Sequence, residues 1–337
     1  MSTTLPTVQL GTDGPVVGKQ GLGCMGMSEF YGPTDTTEAL ATLDAALEAG
    51  VTLFDTADIY GSGANEELIG PFVRANRDRV VLATKFAIER KAEDPAYRGV
   101  RNDPEYIRSA VDASLKRLGI DVIDLYYMHR RNREVPLAES IGAMAELVQA
   151  GKVRHLGLSE VTGSELREAH AVHPIAAVQS EWSLFTRTLE QGVVPVAAEL
   201  GIGLVPYSPL GRGFLTGNFP SSGEMDASDF RRSQPRFSGE AGRANAELIA
   251  PIQRIAAARG VTAAQVALAW LHGRAEVFGL TAVVPIPGTR KRTRLAENVA
   301  GAGLELTAQE LAELEPIAGQ VTGDRYADMS LVRDGKE

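Results

Sequence analysis

Short apolar runs alternate along the chain with longer stretches in which apolar residues recur three and four apart. The short runs predict strands at Gly21–Met25, Thr52–Phe54, Val80–Thr84, Asp124–Met128, Arg154–Leu158, Ala176–Gln179, Gly203–Pro206 and Thr281–Ile286. Several are continuously apolar rather than alternating, the pattern of strands buried on both faces of a parallel sheet. The longer stretches predict helices, with apolar faces such as Leu40–Leu43–Leu47, Ile107–Val111–Leu115–Leu118 and Ile141–Met144–Leu147. Their ends are punctuated accordingly. Asp35 or Thr36 caps the first, Asp103 with Pro104 at the first helical position opens another, and Gly50, Gly119 and Gly151 follow helix ends.

Eight strands each followed by a helix read as a (β/α)8 barrel, with a doubly wound open sheet as the alternative. The interval before the eighth strand is long. It holds a Gly-, Ser- and Pro-rich stretch, Gly211 to Gly242, expected as a loop insertion over the barrel mouth. Helical patterns follow over Asn245–Arg259 and Thr262–His272, and a terminal helix is expected over Thr307–Ala318, with Thr307 and Glu310 spaced as a capping box. The tail after Gly319 reads as irregular, either folded over a site or disordered. No repeat, low-complexity tract or linker divides the chain, so residues 1–337 read as a single barrel domain.

Composition narrows the function classes. The 337 residues are 44% hydrophobic and 23% charged, the balance of a folded globular protein. With 34 Lys and Arg against 43 Asp and Glu, the net charge is −9, which disfavours a nucleic-acid partner. The single cysteine, Cys24, allows no intramolecular disulfide and is expected to be a buried strand residue without a redox role. The polar N-terminus has no signal-peptide core and no window is apolar enough to span a bilayer, so a cytoplasmic location without membrane partners is expected.

One motif misleads. Gly21-Leu-Gly23-Cys-Met-Gly26 fits the dinucleotide-binding pattern G-x-G-x-x-G, which works only where a helix starts at its glycines. Phe30-Tyr31-Gly32-Pro33 follows and breaks a helix, so the glycines read as tight packing of a barrel strand. This also disfavours an open-sheet NAD dehydrogenase. Zinc-protease and serine-hydrolase motifs are absent, and no metal is expected.

Chemistry is expected at the C-terminal ends of the strands. Asp55 ends the second run, with Tyr60 five residues later; Lys85 ends the third and His129 the fourth. A free tyrosine, with a pKa of about 10, is a poor acid at neutral pH. An adjacent ammonium stabilises tyrosinate and lowers that value. Lys85 supplies such a charge, Asp55 keeps it charged and in place, and a neutral His129 orients a carbonyl oxygen. The set is a device for protonating a carbonyl oxygen while hydride reaches the carbon. No side chain delivers hydride, so a nicotinamide cofactor is implied.

These residues lie in stretches that resemble the aldo-keto reductase superfamily. The matches are Gly21-Leu-Gly-Cys-Met-Gly-Met, Phe54-Asp-Thr-Ala-Asp-Ile-Tyr60-Gly, Leu82-Ala-Thr-Lys85, Asp124-Leu-Tyr-Tyr-Met-His129 and Gly151-Lys-Val-Arg-His-Leu-Gly157. Gln179-Ser-Glu-Trp-Ser, Val205-Pro-Tyr-Ser-Pro-Leu-Gly-Arg-Gly213 and Pro285-Ile-Pro-Gly-Thr-Arg290 with Glu297-Asn298 continue the series. The chain is most similar in flavour to the bacterial and plant auxin-induced or perakine-reductase-like branch. The resemblance implies a (β/α)8 barrel closed below by an N-terminal hairpin, with Asp55, Tyr60, Lys85 and His129 as a catalytic tetrad. It also implies NADPH-dependent reduction of aldehydes or ketones, with the cofactor bound extended and without a Rossmann fold. Cofactor contacts fall on Ser159, Gln179, Tyr207, Ser208, Leu210, Gly211, Gly213, Ile286, Gly288, Thr289, Arg290, Arg294, Glu297 and Asn298. Ser159 and Gln179 correspond to carboxamide-binding positions, and Tyr207 to a ring stacked on the nicotinamide.

Two further features matter. Glu160 stands where the family pattern has Asn, either taking that role or serving as a loop acid. Arg290-Lys-Arg-Thr-Arg294 puts four cations at a helix start, where the macrodipole prefers an anion; the 2′-phosphate of NADPH is the expected occupant. Met27, Phe30, Tyr31, Phe86 and Trp182 are either pocket lining or core, and Arg130 and Arg131 would favour an anionic substrate if they face it. Substrate and oligomeric state are not written in the sequence. The alternative of another class is a non-catalytic cofactor-binding barrel serving a protein partner, as in channel β-subunits.

Overall fold

The computed structural model of the protein describes residues 4–91, 93–219, 224–330 and 332. An antiparallel hairpin, β1 (Thr7–Gln9) and β2 (Val16–Gly18), leads into the parallel strands β3 (Leu22–Gly23), β4 (Leu53–Asp55) and β5 (Val81–Phe86). A second hairpin, β6 (Ile88–Lys91) with β7 (Asp94–Val100), leaves the end of β5; no alternation in the sequence announced it. The sheet resumes with β8 (Ile123–Met128), β9 (Val153–Ser159), β10 (Ile175–Gln179) and β11 (Gly203–Leu204). These seven strands are parallel in the order β3, β4, β5, β8, β9, β10, β11.

The ring closes through the segment expected as the eighth strand. Val284 N–H donates to Leu204 O at 2.8 Å and Leu204 N–H to Ala282 O at 3.0 Å, while on the other side Gly21 N–H donates to Pro285 O at 2.9 Å. Gly288 bridges Gly23. The contacts are isolated bridges rather than a ladder, because Pro285 and Pro287 have no N–H to donate. The architecture is a (β/α)8 barrel. Its interior is filled by Leu53, Ala83, Leu125, Tyr127, Ala177, Val205, Val284 and Ile286, and the hairpin plugs the lower end with Leu10 and Val17.

Helices α1 (Thr36–Glu48), α2 (Ala64–Ala75), α3 (Pro104–Leu118), α4 (Leu137–Gln149), α5 (Gly163–Val172) and α6 (Val193–Leu200) return the chain between strands. Their starts follow the cap chemistry: the Asp35 carboxylate accepts from the N–H groups of Thr37 and Glu38, and that of Asp103 from Tyr106 N–H. On α3 the buried residues are Ile107, Ala110, Val111, Ser114 and Leu118, a single face at helical spacing. Beyond β11 the stretch from Gly211 forms short single turns up to Phe237, a loop insertion as expected, and its last residues open a helix at Gly239; Pro220 to Gly223 lie outside the described residues.

The expected helix over Asn245–Arg259 is two, α7 (Gly239–Glu247) and α8 (Ala250–Arg259), because Pro251 cannot donate back to the preceding turn. Next come α9 (Ala263–His272), α10 (Arg274–Phe278), α11 (Arg292–Gly301) and α12 (Ala308–Leu314). The Thr307 capping box forms, but α12 stops short of Ala318, because Pro316 has no N–H to donate back to the Ala312 carbonyl. Among the described residues no helix is long and apolar enough to cross a membrane.

The glycine fingerprint is a packing device. A Cβ on Gly21 would stand 2.9 Å from Ile286 Cγ2 and 3.0 Å from the Leu53 carbonyl oxygen, and one on Gly23 would stand 3.0 Å from Ile286 O. No helix starts at Gly23; Met25–Met27 make one 3-10 turn. Gly21→Ala is therefore expected to cost about 1–3 kcal/mol of stability in urea unfolding, by overpacking the barrel seam. An unchanged unfolding midpoint would contradict this packing role.

Candidate active site

The strand ends assemble one buried polar cluster. Asp55 is the last residue of β4, Lys85 lies on β5, His129 follows β8, and Tyr60 sits in a tight turn five residues beyond Asp55. Lys85 is fully buried. Its ammonium donates to Asp55 Oδ1 at 2.5 Å, to the Thr56 carbonyl at 2.7 Å and to the Tyr60 hydroxyl at 3.3 Å, so all three protons are placed. The second oxygen of Asp55 accepts from Gln179 Nε2 at 2.8 Å. The Tyr60 hydroxyl donates to no group among the described residues. The His129 ring meets Tyr60 edge-on with centroids 6.1 Å apart, and its Nδ1 is buried without a hydrogen-bond partner among the described residues.

Electrostatics differ from the expectation at one point. Burial raises the Tyr60 pKa above its ordinary value, and the opposing Lys85 charge only partly offsets it. Tyr60 thus keeps its proton at neutral pH, with a cation waiting at the oxygen that would lose it. Burial opposes the charge on Lys85, yet Asp55 and Tyr60 outweigh it and hold the ammonium above its usual range. Burial, then Arg130 and Lys85, push His129 well below the ordinary histidine range, so its ring is neutral.

Beside the cluster, at the ends of the next strands, lie Ser159, Gln179 and Tyr207. Ser159 Oγ accepts from Arg130 Nη1 at 3.3 Å, and the same nitrogen donates to His129 O. Gln179 gives one amide N–H to Asp55, and its oxygen is left for a ligand. The half-buried Tyr207 donates its hydroxyl to Glu160 Oε1 at 2.8 Å. Glu160 is not a loop acid. It is buried, in left-handed backbone at φ 53°, and Arg325 from the C-terminal tail donates to its Oε2 at 2.9 Å. Burial opposes its charge, but Arg325 and Arg130 win and hold the carboxyl at about 2.

After Tyr207, Ser208, Gly211, Arg212 and Gly213 all adopt left-handed backbone, with Gly213 at φ 101° where a side chain is strained. Leu210 closes this turn by accepting from Gly213 N–H. Ile286 belongs to the barrel interior, Gly288 approaches Gly23, and Thr289 accepts from Lys291 N–H through its Oγ1.

The basic run is resolved differently from the expectation. Arg290 is not an uncommitted phosphate ligand. Its Nη1 donates to Gly26 O, Gly32 O and Thr34 Oγ1, and its Nη2 to Tyr31 O, pinning the loop after β3. The anion at the start of α11 is Glu38, which accepts from Arg292 N–H and pairs with its guanidinium at 2.9 Å. Arg294 is exposed and makes no ion pair among the described residues. Glu297 is half-buried on α11 and Asn298 buried.

Among the residues left open between pocket and core, Phe86 stacks on Tyr126 and Trp182 is fully buried with its indole N–H on Glu190, so both are core. Phe30 and Tyr31 pack on Phe230 from the loop insertion. Arg131 pairs with Glu165 at 2.5 Å. Cys24 is buried and free. Arg325, Arg212 and Glu181 escaped the sequence reading. Arg212 donates to Glu181 Oε2 at 3.0 Å, and both lie inside stretches already singled out; Arg325 lies in an irregular tail that carries no periodic signal.

A model of the Aldo/keto reductase family matches residues 19–318. Among solved structures, a glycerol dehydrogenase from Gluconobacter oxydans superposes with a TM-score of 0.82 at 27% identity, covering 94% of this chain and 96% of its own. An aldo-keto reductase from Bacillus halodurans, in its holo form, gives 0.70 at 25% identity, with 98% and 99% covered. An aldo/keto reductase from Klebsiella pneumoniae in complex with NADP and acetate gives 0.69 at 26% identity, with 96% and 99% covered. With its barrel, its strand-end cluster and a match over residues 19–318, the chain belongs to the aldo/keto reductase family of oxidoreductases, which act on carbonyl compounds with nicotinamide cofactors.

Proposed function

We propose that the protein reduces aldehyde or ketone carbonyls to alcohols with NADPH, Tyr60 giving the proton to the carbonyl oxygen. The observation that carries this reading is the 3.3 Å contact between the Tyr60 hydroxyl and a Lys85 ammonium with no access to water. NADPH supplies the hydride when bound. A carbonyl oxygen placed between Tyr60 and a neutral His129 receives two hydrogen bonds, one from the phenol and one from the Nε2–H tautomer of the imidazole. As negative charge builds on that oxygen, Tyr60 releases its proton and Lys85 stabilises the phenolate left behind. Asp55 keeps Lys85 charged throughout.

The chain's own residues fit such a cofactor. The ring of Tyr207 stands half-buried beside Ser159 and Gln179, a flat apolar face at a strand end. The left-handed turn from Ser208 to Gly213 and the bare backbone of Gly288 allow close approach by a long ligand. Arg294, exposed and without an ion pair among the described residues, is available for a 2′-phosphate, with Glu297 and Asn298 on the same helix toward the adenosine. Ser159 and the free oxygen of Gln179 then hold the carboxamide. The substrate is a small carbonyl compound, and no protein partner is needed for this chemistry.

Tyr60→Phe keeps the ring and removes the proton donor. Turnover of a small-aldehyde panel is expected to fall by about 10²–10⁴-fold, with NADPH affinity by fluorescence titration unchanged. Retained turnover would refute the assignment, and absence of NADPH oxidation in the wild type would favour the non-catalytic alternative.

Lys85→Met removes the group that most lowers the Tyr60 pKa, which burial raises. Reduction needs the protonated phenol, so activity is lost as pH rises through that pKa. The variant is expected to be far slower, with the alkaline limb of its residual pH–rate profile displaced upward. A limb at the wild-type position would show that Lys85 does not tune the acid.

Cofactor choice is tested at the two ends of the basic run. Arg294→Ala is expected to weaken NADPH binding about 10–100-fold, the loss of one charge-assisted contact of roughly 1.5–3 kcal/mol, with NADH unaffected. Arg290→Ala instead frees the loop after β3 and weakens both cofactors alike. The reverse pattern in paired titrations would return the phosphate to Arg290.

A further inference from the structure

Among the described residues after α12 there is no regular structure beyond one short turn, yet the segment delivers a buried cation to the strand ends. Arg325 is 3% exposed and Glu160 4%. Arg325 Nη2 donates to Glu160 Oε2 at 2.9 Å, and Nη1 approaches Glu160 Oε1 at 3.3 Å and the Tyr207 hydroxyl at 3.4 Å. Glu160 Oε1 also accepts from Tyr207 at 2.8 Å and from Glu181 N–H at 3.1 Å. The carboxylate is therefore fully committed. A second pair braces the first: Arg212 donates to Glu181 Oε2 and to the backbone carbonyl of Arg325, and its guanidinium lies 4.1 Å from the ring centroid of Tyr326.

A buried ion pair adds little net stability compared with apolar packing, but removing one partner leaves a costly bare charge, so such pairs enforce a geometry. The geometry enforced here is that of Tyr207, whose hydroxyl is tied to the carboxylate that Arg325 holds. We propose that Arg325 is a positioning residue for the cofactor. It fastens the C-terminal segment across the barrel mouth and, through Glu160, fixes the ring of Tyr207 against which the nicotinamide rests. This inference rests on the reading of Tyr207 as the nicotinamide-stacking residue. Glu160 is the anchor of the tail rather than a carboxamide ligand.

The test uses the full chain, with NADPH affinity by fluorescence titration, single-turnover hydride transfer, and thermal melting measured separately. Arg325→Met is expected to weaken NADPH binding at least tenfold and to slow hydride transfer. Arg325→Lys, which keeps the charge, is expected to recover part of the loss, and the uncharged double variant Glu160→Gln/Arg325→Met most of it. Tyr207→Phe keeps the ring and every charge and cuts only the tether; it is expected to weaken NADPH at least threefold. It serves as the deciding variant should Arg325→Met fail to fold. A lowered melting temperature with NADPH affinity and hydride transfer within twofold of wild type would overturn the proposal and leave Arg325 a structural cation. If Arg325→Met weakens NADPH while Tyr60→Phe leaves turnover intact, the acid assignment fails and the positioning role stands. If Tyr60→Phe abolishes turnover while Arg325 and Tyr207 variants bind NADPH normally, only the positioning role fails.

Discussion

A lysine ammonium sealed from water is the constraint around which this barrel is arranged. Moving an unpaired cation into the interior costs several kcal/mol, so Lys85 is tolerable only where three acceptors converge on it. All three come from the short stretch that begins at the last residue of β4: the Asp55 carboxylate, the Thr56 carbonyl and the Tyr60 hydroxyl. The parallel register of β4 and β5, with Asp55 opposite Ala83, sets that stretch beside Lys85. Asp55 would in turn be half-satisfied, and its second oxygen is met by Gln179 from β10, four strand positions round the ring from β4. The side chain acts as a strut across the barrel mouth. The acid, its cation and the strut are thus one satisfied network, and the position of Tyr60 depends on the closure of the whole ring.

What the sequence makes legible is what is encoded locally. Asp35, Asp103, Thr262 and Thr307 cap helices because a cap acts within one turn, and its residues are neighbours in the chain. The strand-end residues are legible for a similar reason: an ionisable group directly after a buried apolar run is conspicuous wherever the fold places it. Prolines account for most of the misplaced boundaries. Pro285 and Pro287 leave an apolar run that closes the ring without forming a ladder, and Pro251 divides one helical pattern into two. The hairpin of β6 and β7 is polar and carries no period that separates it from a loop.

Charge pairing is illegible because partners lie far apart in sequence. Four cations in five residues look unsatisfied until Glu38 is found 254 positions away, placed at the start of α11 by the packing of α1 against α11. Arg290 looks like an anion ligand until its donors are seen to converge on a loop whose carbonyls point inward. Glu160 looks like a surface acid until a tail residue 165 positions later covers it. In each instance the partner that commits the charge lies too far along the chain for local sequence to name it.

That pattern separates the arginines of the site by what each is still able to do. An arginine whose donors are committed to a buried carboxylate or to backbone carbonyls cannot turn to a ligand without stranding its partner, and a stranded buried charge costs more than one new contact returns. Arg212, Arg290 and Arg325 are of this kind, and their effect on any ligand passes through what they hold still: Glu181, the loop after β3, and Glu160. Arg294 is of the other kind, exposed and unpaired among the described residues, and an anion meeting it displaces only water. Sequence alone weights Arg290 and Arg294 equally as basic residues on a cofactor path and gives no weight to Arg212 or Arg325. The difference between shaping a site and binding a charge lies in the prior commitment of the guanidinium.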